Sequence, residues 1–146
     1  MPLLYMEQLV SISVDSGNSV FEADDGILFE RDPRTLLAYP SGKKGESYTI
    51  PDGVVIVGAY AFSGSQLKTI SFSSSVTTLQ QSAMRSAKIT SIQIPDTIKS
   101  IGDECFDNCI SLSEVTFEGC PETIGRSAFQ YCRALQSVHF SEGMES

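Results

Sequence analysis

Hydrophobic residues recur at a fixed interval along most of the chain, and polar residues fill the positions between them. The residues that open successive intervals are separated by 22, 22, 23 and 23 positions, and they are Ile50, Phe72, Ile94, Phe117 and Phe140. A second apolar position keeps the same step at Val57, Leu79, Ile101 and Ile124. Because a unit of this length is too short to bury its own apolar side, the units are expected to stack around one continuous core. The pattern therefore predicts a solenoid.

Each unit also contains a segment of the form Leu-x-x-Ile-x-Phe, as at Leu67, Ile70 and Phe72. Its alternation of apolar and polar residues predicts a short β-strand, and strands of successive units are expected to pair in parallel about 4.8 Å apart. The segment from Gly58 to Phe62 is expected to cross the other side of the coil as a turn or a short helix. The period lies in the range of leucine-rich repeats. The predicted fold is therefore a leucine-rich-repeat solenoid, a right-handed β/α superhelix with parallel strands on one face and turns and short helices on the other.

A small residue followed by a large apolar one marks the predicted helix or turn of every unit. The small residue is alanine or cysteine, which indicates that the chain passes close to the neighbouring coil at this point. The large residues that follow are expected to form a stacked ladder in the core, and they are Phe62, Met84, Phe106 and Phe129.

The N-terminal part departs from the regular repeat. Leu9 to Val14 already has the strand pattern, so the chain is expected to open partway through a coil. The distance from Val14 to Ile50 then leaves about 14 extra residues, which predict a β-hairpin insertion at about 24–39 with a turn at Asp24-Asp25-Gly26. We interpret 1–146 as a single domain, with a partial repeat at 1–47, four repeats at 48–140 and a tail at 141–146.

The repeat motif resembles that of a known family. The segment that begins at Ile94 is similar to the BspA-type leucine-rich repeat of cell-surface and secreted proteins. Its sequence is Ile-Pro-Asp-x-Ile-x-x-Ile-Gly-x-x-Cys-Phe. The second unit departs from the motif, with Ser73 in place of proline, Gln80 in place of glycine and Met84 in place of phenylalanine. The resemblance extends from about Leu9 to Phe140. It implies a surface or secreted location, with host or neighbouring-cell proteins as partners.

Charge and hydropathy exclude several classes of function. The net charge of −8 argues against nucleic acid as a partner. The chain has no stretch near the roughly 18 consecutive apolar residues of a membrane span, so membrane insertion is not expected. The first residues lack a basic segment, and Glu7 interrupts their apolar run, so a signal peptide is not expected within these 146 residues. The acidic C-terminal half either attracts a cationic partner or keeps the protein soluble.

The reactive side chains do not form a catalytic or metal-binding motif. Cys109 and Cys132 occupy the same repeat position, so they are either buried thiols or, on adjacent coils, a disulfide. Cys105 replaces the alanine of other units, and Cys120 lies in a predicted loop. With no Cys-x-x-Cys pair and a single histidine, His139, the sequence indicates no zinc site, no cofactor and no enzyme.

The outward positions of the predicted strands form the candidate binding surface. They are small and polar and nearly free of the tyrosine, tryptophan and arginine that dominate binding hot spots. Two hypotheses remain, a protein-binding or adhesion module and a purely structural spacer in a longer surface protein. The candidate binding residues are Thr49, Ser71, Gln93, Thr116, His139, Thr69, Ser91, Glu114 and Glu118.

The predicted last strand, Val138 to Phe140, is followed by only six residues. Because the last coil of a solenoid needs a polar cap, this short tail predicts an open end. Either the natural protein continues beyond it, which is the interpretation we favour, or the open C-terminal end mediates self-association with a second copy.

Overall fold

The computed structural model describes residues 6–141, which form twelve short β-strands and no helix. Residues 1–5 and 142–146 lie outside the described part, so most of the predicted tail is outside it too. In chain order the strands are β1 (Phe21–Asp24), β2 (Ile27–Arg31), β3 (Arg34–Ala38), β4 (Ser47–Thr49), β5 (Ile56–Val57), β6 (Thr69–Ser71), β7 (Thr78–Leu79), β8 (Ser91–Ile94), β9 (Ser100–Ile101), β10 (Glu114–Phe117), β11 (Thr123–Ile124) and β12 (Ser137–Phe140).

One strand from each coil contributes to a surface that we call the strand face, composed of β4, β6, β8, β10 and β12. β4 pairs in parallel with β6, and β8, β10 and β12 pair in parallel in that order. The pairing ladder is interrupted between β6 and β8, although the Thr90 N–H beside them donates to the Lys68 carbonyl at 3.0 Å. The predicted solenoid with parallel strands on one face is confirmed.

A second row of strands, which the sequence did not predict, follows another side of the coils. β5, β7, β9 and β11 contain two residues each, and they extend a sheet in the order β1-β2-β3-β5-β7-β9-β11. Their last residues are the apolar anchors Val57, Leu79, Ile101 and Ile124. Because a two-residue strand is too short to alternate, its sequence shows none of the period-two pattern that predicts strands.

The predicted N-terminal hairpin is present as β2 and β3, which pair antiparallel. The structure adds β1, which pairs antiparallel with β2 and had not been predicted. The prediction of a strand at Leu9 to Val14 is wrong, because this segment pairs with no strand. Its Ile12 N–H donates to the Gly26 carbonyl, and its Leu9 carbonyl accepts from the Gly42 N–H, both at 2.9 Å. The segment therefore lies extended across the two turns on either side of the hairpin.

The predicted short helices, and with them the β/α superhelix, are wrong for the described residues. A helix needs each N–H to reach the carbonyl four residues back. Here the Phe62 N–H donates instead to Ala83 of the next coil at 2.8 Å, and the Gly64 N–H donates to Arg85 at 2.9 Å. Two residues of every coil also have a left-handed backbone, which a right-handed helix excludes. They are Tyr60, Ser82, Glu104 and Ser127 at one position and Gly64, Ser86, Asn108 and Tyr131 at the other.

The core contains the predicted ladder of large residues. Phe62, Met84 and Phe106 have no exposed surface. Phe129 stacks on Phe106 with ring centroids 5.0 Å apart and planes 2° apart, but it is only partly buried because no described coil covers its other side. The residues that precede this ladder are almost fully buried, as their small size predicted: Ala61, Ala83, Cys105 and Ala128.

Close contact between coils explains the glycine of the repeat motif and its one replacement. A Cβ on Gly102 would lie 2.6 Å from the Gln81 nitrogen of the preceding coil, a distance that real Cβ atoms essentially never show. At the same repeat position, Gln80 carries a side chain whose Oε1 accepts a hydrogen bond from the Ala59 N–H at 3.1 Å. The replacement therefore adds a hydrogen bond between the first two regular coils.

Candidate functional site

The candidate site lies on the strand face, where alternate residues of each strand point outward. In β6, Thr69 and Ser71 are exposed and the residue between them is buried. β8 repeats the alternation, with Ser91 and Gln93 exposed. This follows from strand geometry, since successive side chains project to opposite sides of a sheet. The outward polar residues and the inward apolar core are thus two consequences of one sequence pattern.

Pairing between the strands aligns the candidate residues in rows. Thr116 of β10 lies directly opposite Gln93 of β8 on one side and His139 of β12 on the other. Thr49 of β4 lies opposite Ser71 of β6 in the same way. The interruption between β6 and β8 divides the predicted row of five into a pair and a triplet.

A shallow groove of about 360 Å³ crosses the middle of the strand face. It brings together seven of the nine predicted residues, while Thr49 and His139 lie outside its lining. The seven are Thr69, Ser71, Ser91, Gln93, Glu114, Thr116 and Glu118.

The groove offers hydroxyl, amide and carboxylate groups around a partly apolar floor. Glu114 and Glu118 are the charged residues of its lining, and both are exposed. The half-buried Phe72 and Pro95 add apolar surface. Phe72 had been predicted only as an inward anchor, and sequence reasoning missed its contribution to the groove. Phe72 is at the same repeat position as the buried Ile50 and Ile94, so the repeat pattern alone does not indicate its exposure.

A second cleft, of about 440 Å³, lies on the turn side of the coils and had not been predicted. Tyr60, Arg85 and Lys88 contribute to it, and Glu7 and Gln8 of the N-terminal segment close one edge. Its lining comes from residues far apart in sequence, which meet because the N-terminal segment folds back over the hairpin. No repeat pattern signals such a meeting.

Arg85 links two coils on this turn side. Its Nε lies 3.2 Å from Asp107 Oδ2, and its Nη1 lies 3.4 Å from Glu104 Oε2. Asp107 is almost fully buried. Two carboxylates thus pair with the guanidinium of Arg85. The other cation of the cleft lining, Lys88, forms no ion pair among the described residues.

The four cysteines are free thiols, so the structure contains no disulfide between Cys109 and Cys132. Instead, Cys109 Sγ donates to the Met84 carbonyl at 3.0 Å, and Cys132 Sγ donates to the Phe106 carbonyl at 3.1 Å. Burial raises the pKa of the Cys105 thiol from 9.0 to about 12, and burial also raises the pKa values of Cys109 and Cys132. Cys109 and Cys132 thus act as hydrogen-bond donors between coils.

Within residues 6–141, histidine, cysteine, aspartate and glutamate side chains do not gather in any group of three that is able to hold a metal ion. The same residues contain no helix with the length and hydropathy required to cross a membrane.

Comparisons with known proteins agree with the repeat pattern. The model of the BspA-type leucine-rich repeat region matches residues 38–146, with six copies. Among solved structures, a leucine-rich repeat protein from Eubacterium ventriosum is 34% identical over 90% of this chain, with a TM-score of 0.86. A leucine-rich cell surface protein from Faecalibacterium prausnitzii is 25% identical over 91% of it, with a TM-score of 0.59. The pneumococcal vaccine antigen PcpA, 22% identical over 89% of the chain with a TM-score of 0.62, shares the fold.

A search of the curated proteins finds no match. The chain spans 36%, 42% and 38% of the lengths of the three similar structures, so each of them is much longer. The family match covers well over half of the chain and includes all four regular repeats. The resemblance inferred from the motif is therefore confirmed, and the chain belongs to the BspA-type leucine-rich repeat family.

Proposed function

We propose that this chain is a non-enzymatic protein-binding or adhesion module and that the strand face is its binding surface. The observation that carries the proposal is the groove, which gathers seven candidate residues from β6, β8, β10 and the residues that follow them. Extended faces of this kind are the usual binding surfaces of solenoids, because side chains from successive coils lie in one plane.

The composition of the groove favours an interaction spread over many small contacts. Its lining contains no tyrosine, tryptophan or arginine, the residues that concentrate binding energy in hot spots. Hydroxyl and amide groups from adjacent strands instead offer an array of hydrogen-bond donors and acceptors. An extended segment of a partner protein is able to meet several of these groups at once.

Family membership supports a surface or secreted location for the natural protein. One similar structure is described as a leucine-rich cell surface protein. A surface location would place the strand face in contact with proteins of the host or of neighbouring cells, which we propose as the partner class.

A capture experiment with matched variants tests the proposed binding surface. Thr49, Gln93 and Thr116 are changed together to lysine, and the bait is incubated with an extracellular protein mixture. The control bait carries the same added charge on the turn side, through lysine at Gln66, Gln81 and Gln130, all of which are exposed. The proposal is supported if the wild type and the control bait capture a partner that the strand-face variant does not capture. Equal capture by all three baits contradicts it.

The alternative is a purely structural spacer that separates other parts of a longer surface protein. The observation that favours it is the position of the exposed large apolar residues, none of which lies in the groove lining. A spacer predicts that no bait captures a partner at any concentration tested. It also predicts that the strand-face variant unfolds at the same denaturant concentration as the wild type.

A further inference from the structure

We propose that the strand face binds an extended peptide segment that carries two cationic side chains four residues apart. This inference rests on the proposed function and specifies the chemistry of the partner. It depends on the spacing of Glu114 and Glu118, on the charge of the groove lining and on the apolar surface between the strands.

The two carboxylates lie on one line of the strand face. Glu114 begins β10, and Glu118 directly follows its last residue. The Glu118 N–H donates to the Ile94 carbonyl at 2.9 Å, so the backbone continues alongside β8 beyond the end of the assigned strand. Residues four apart on a strand project to the same side, and at about 3.3 Å per residue these two lie about 13 Å apart along it.

The negative charge of the groove is not neutralised within the described structure. The groove lining contains Glu114 and Glu118 but neither lysine nor arginine. The ion pairs among residues 6–141 use other acids. Two exposed carboxylates without a cation between them attract a positively charged partner and select its orientation.

The remaining lining suits the rest of a basic side chain and of an extended backbone. Lysine and arginine bury their alkyl stems against apolar surface while their charged ends stay in water. Phe72 and Pro95 supply such surface in the groove. Gln93 and Thr116, on adjacent strands between the two carboxylates, offer hydrogen-bonding groups to a peptide backbone.

The four-residue spacing of the cationic side chains also distinguishes an extended partner from a helical one. In an extended peptide, side chains at positions i and i+4 are about 13 Å apart, which equals the separation of the two glutamates along β10. In an α-helix the same residues are separated by about 6 Å along the axis, because the rise is 1.5 Å per residue. The four-residue spacing therefore fits only the extended form.

Direct binding measurements with labelled peptides test this inference. The host peptide is rich in threonine, which favours extended structure. One version carries lysines four residues apart on one side, and a second carries them three residues apart, on opposite sides. The four-residue peptide is expected to bind about two- to threefold more tightly than the three-residue peptide, which is able to form only one of the two exposed ion pairs.

Matched protein variants complete the test. Glu114→Gln with Glu118→Gln should lower the affinity for the four-residue peptide about fivefold, whereas the exposed Glu122→Gln outside the groove should leave it unchanged. Equal affinity for both peptides, an unchanged affinity in the double variant or no binding at about 1 mM peptide would overturn the inference. The capture experiment distinguishes the two proposals. If the strand-face variant loses its partner and the double glutamine variant keeps it, the strand face is the binding surface but the two glutamates do not bind a cationic partner.

Discussion

Truncation of Phe106 to alanine measures how strongly the stacked core holds the coils together. Phe106 has no exposed surface and stacks on Phe129 with ring centroids 5.0 Å apart. Removing a buried phenylalanine costs about 3–5 kcal/mol, because the transfer free energy is lost and a cavity remains. For a chain of this size each kcal/mol corresponds to about 2–4 °C, so the melting temperature should fall by about 6–20 °C.

Urea unfolding followed by circular dichroism gives the required free energies. Phe129→Ala should cost less than Phe106→Ala, because Phe129 is already partly exposed on the side that no described coil covers. Thr116→Ala, which removes a side chain from the outward row of the strand face, should cost less than about 1 kcal/mol. If Phe129→Ala lowers the free energy of unfolding as much as Phe106→Ala does, the assignment of the core is refuted. If Thr116→Ala lowers it as much as either, the assignment of the outward face is refuted.

Other predictions address the contacts between coils, the thiols and the last coil. Gly102→Ala should lower stability by about 1–3 kcal/mol in urea unfolding, since the added Cβ meets backbone of the preceding coil, whereas Gly17→Ala, with open space around it, should be neutral. Because burial raises the pKa of Cys105 from 9.0 to about 12, the protonated thiol stabilises the fold below pH 9 and this contribution is lost as the pH rises toward 12. Under reducing conditions, Cys105→Ala should therefore lose less stability than the wild type between pH 9 and pH 12. An identical loss in the two proteins would contradict the raised pKa of Cys105. In the native protein Cys120, the exposed thiol, should react first with a thiol reagent, and all four cysteines should react after unfolding without reductant. We also propose that the exposed Phe140 and its neighbours on the last coil mediate self-association, so sedimentation should detect a concentration-dependent dimer that Phe140→Lys abolishes.

The regular part of the fold was predictable because stacking repeats one local pattern. At the end of the segment from Leu67 to Phe72, Ile70 and Phe72 alternate with the polar Thr69 and Ser71, and that alternation predicts both the strand and the direction of its side chains. The short helices were predicted wrongly from the same kind of local evidence. The backbone of Tyr60 is left-handed, and the Phe62 N–H bonds to the next coil, so contacts between coils decide the structure of the turn.

The candidate residues were predicted by the same alternation, but the shape of the site was not. The groove is lined by residues on both sides of the interruption between β6 and β8, and the half-buried Phe72 is one of them. Neither feature is encoded within a single repeat, since each depends on how two coils pack against one another. The turn-side cleft was missed for a similar reason, because Gln8 and Arg85 meet only in the folded chain.

Site-specific photo-crosslinking tests the central claim most directly. A photoreactive residue is placed at Gln93 on the strand face and, in a separate sample, at Gln130 on the turn side, and each protein is irradiated with the captured partner. We predict a crosslinked partner from position 93 and none from position 130. Crosslinks from position 130, with none from position 93, would contradict the assignment of binding to the strand face.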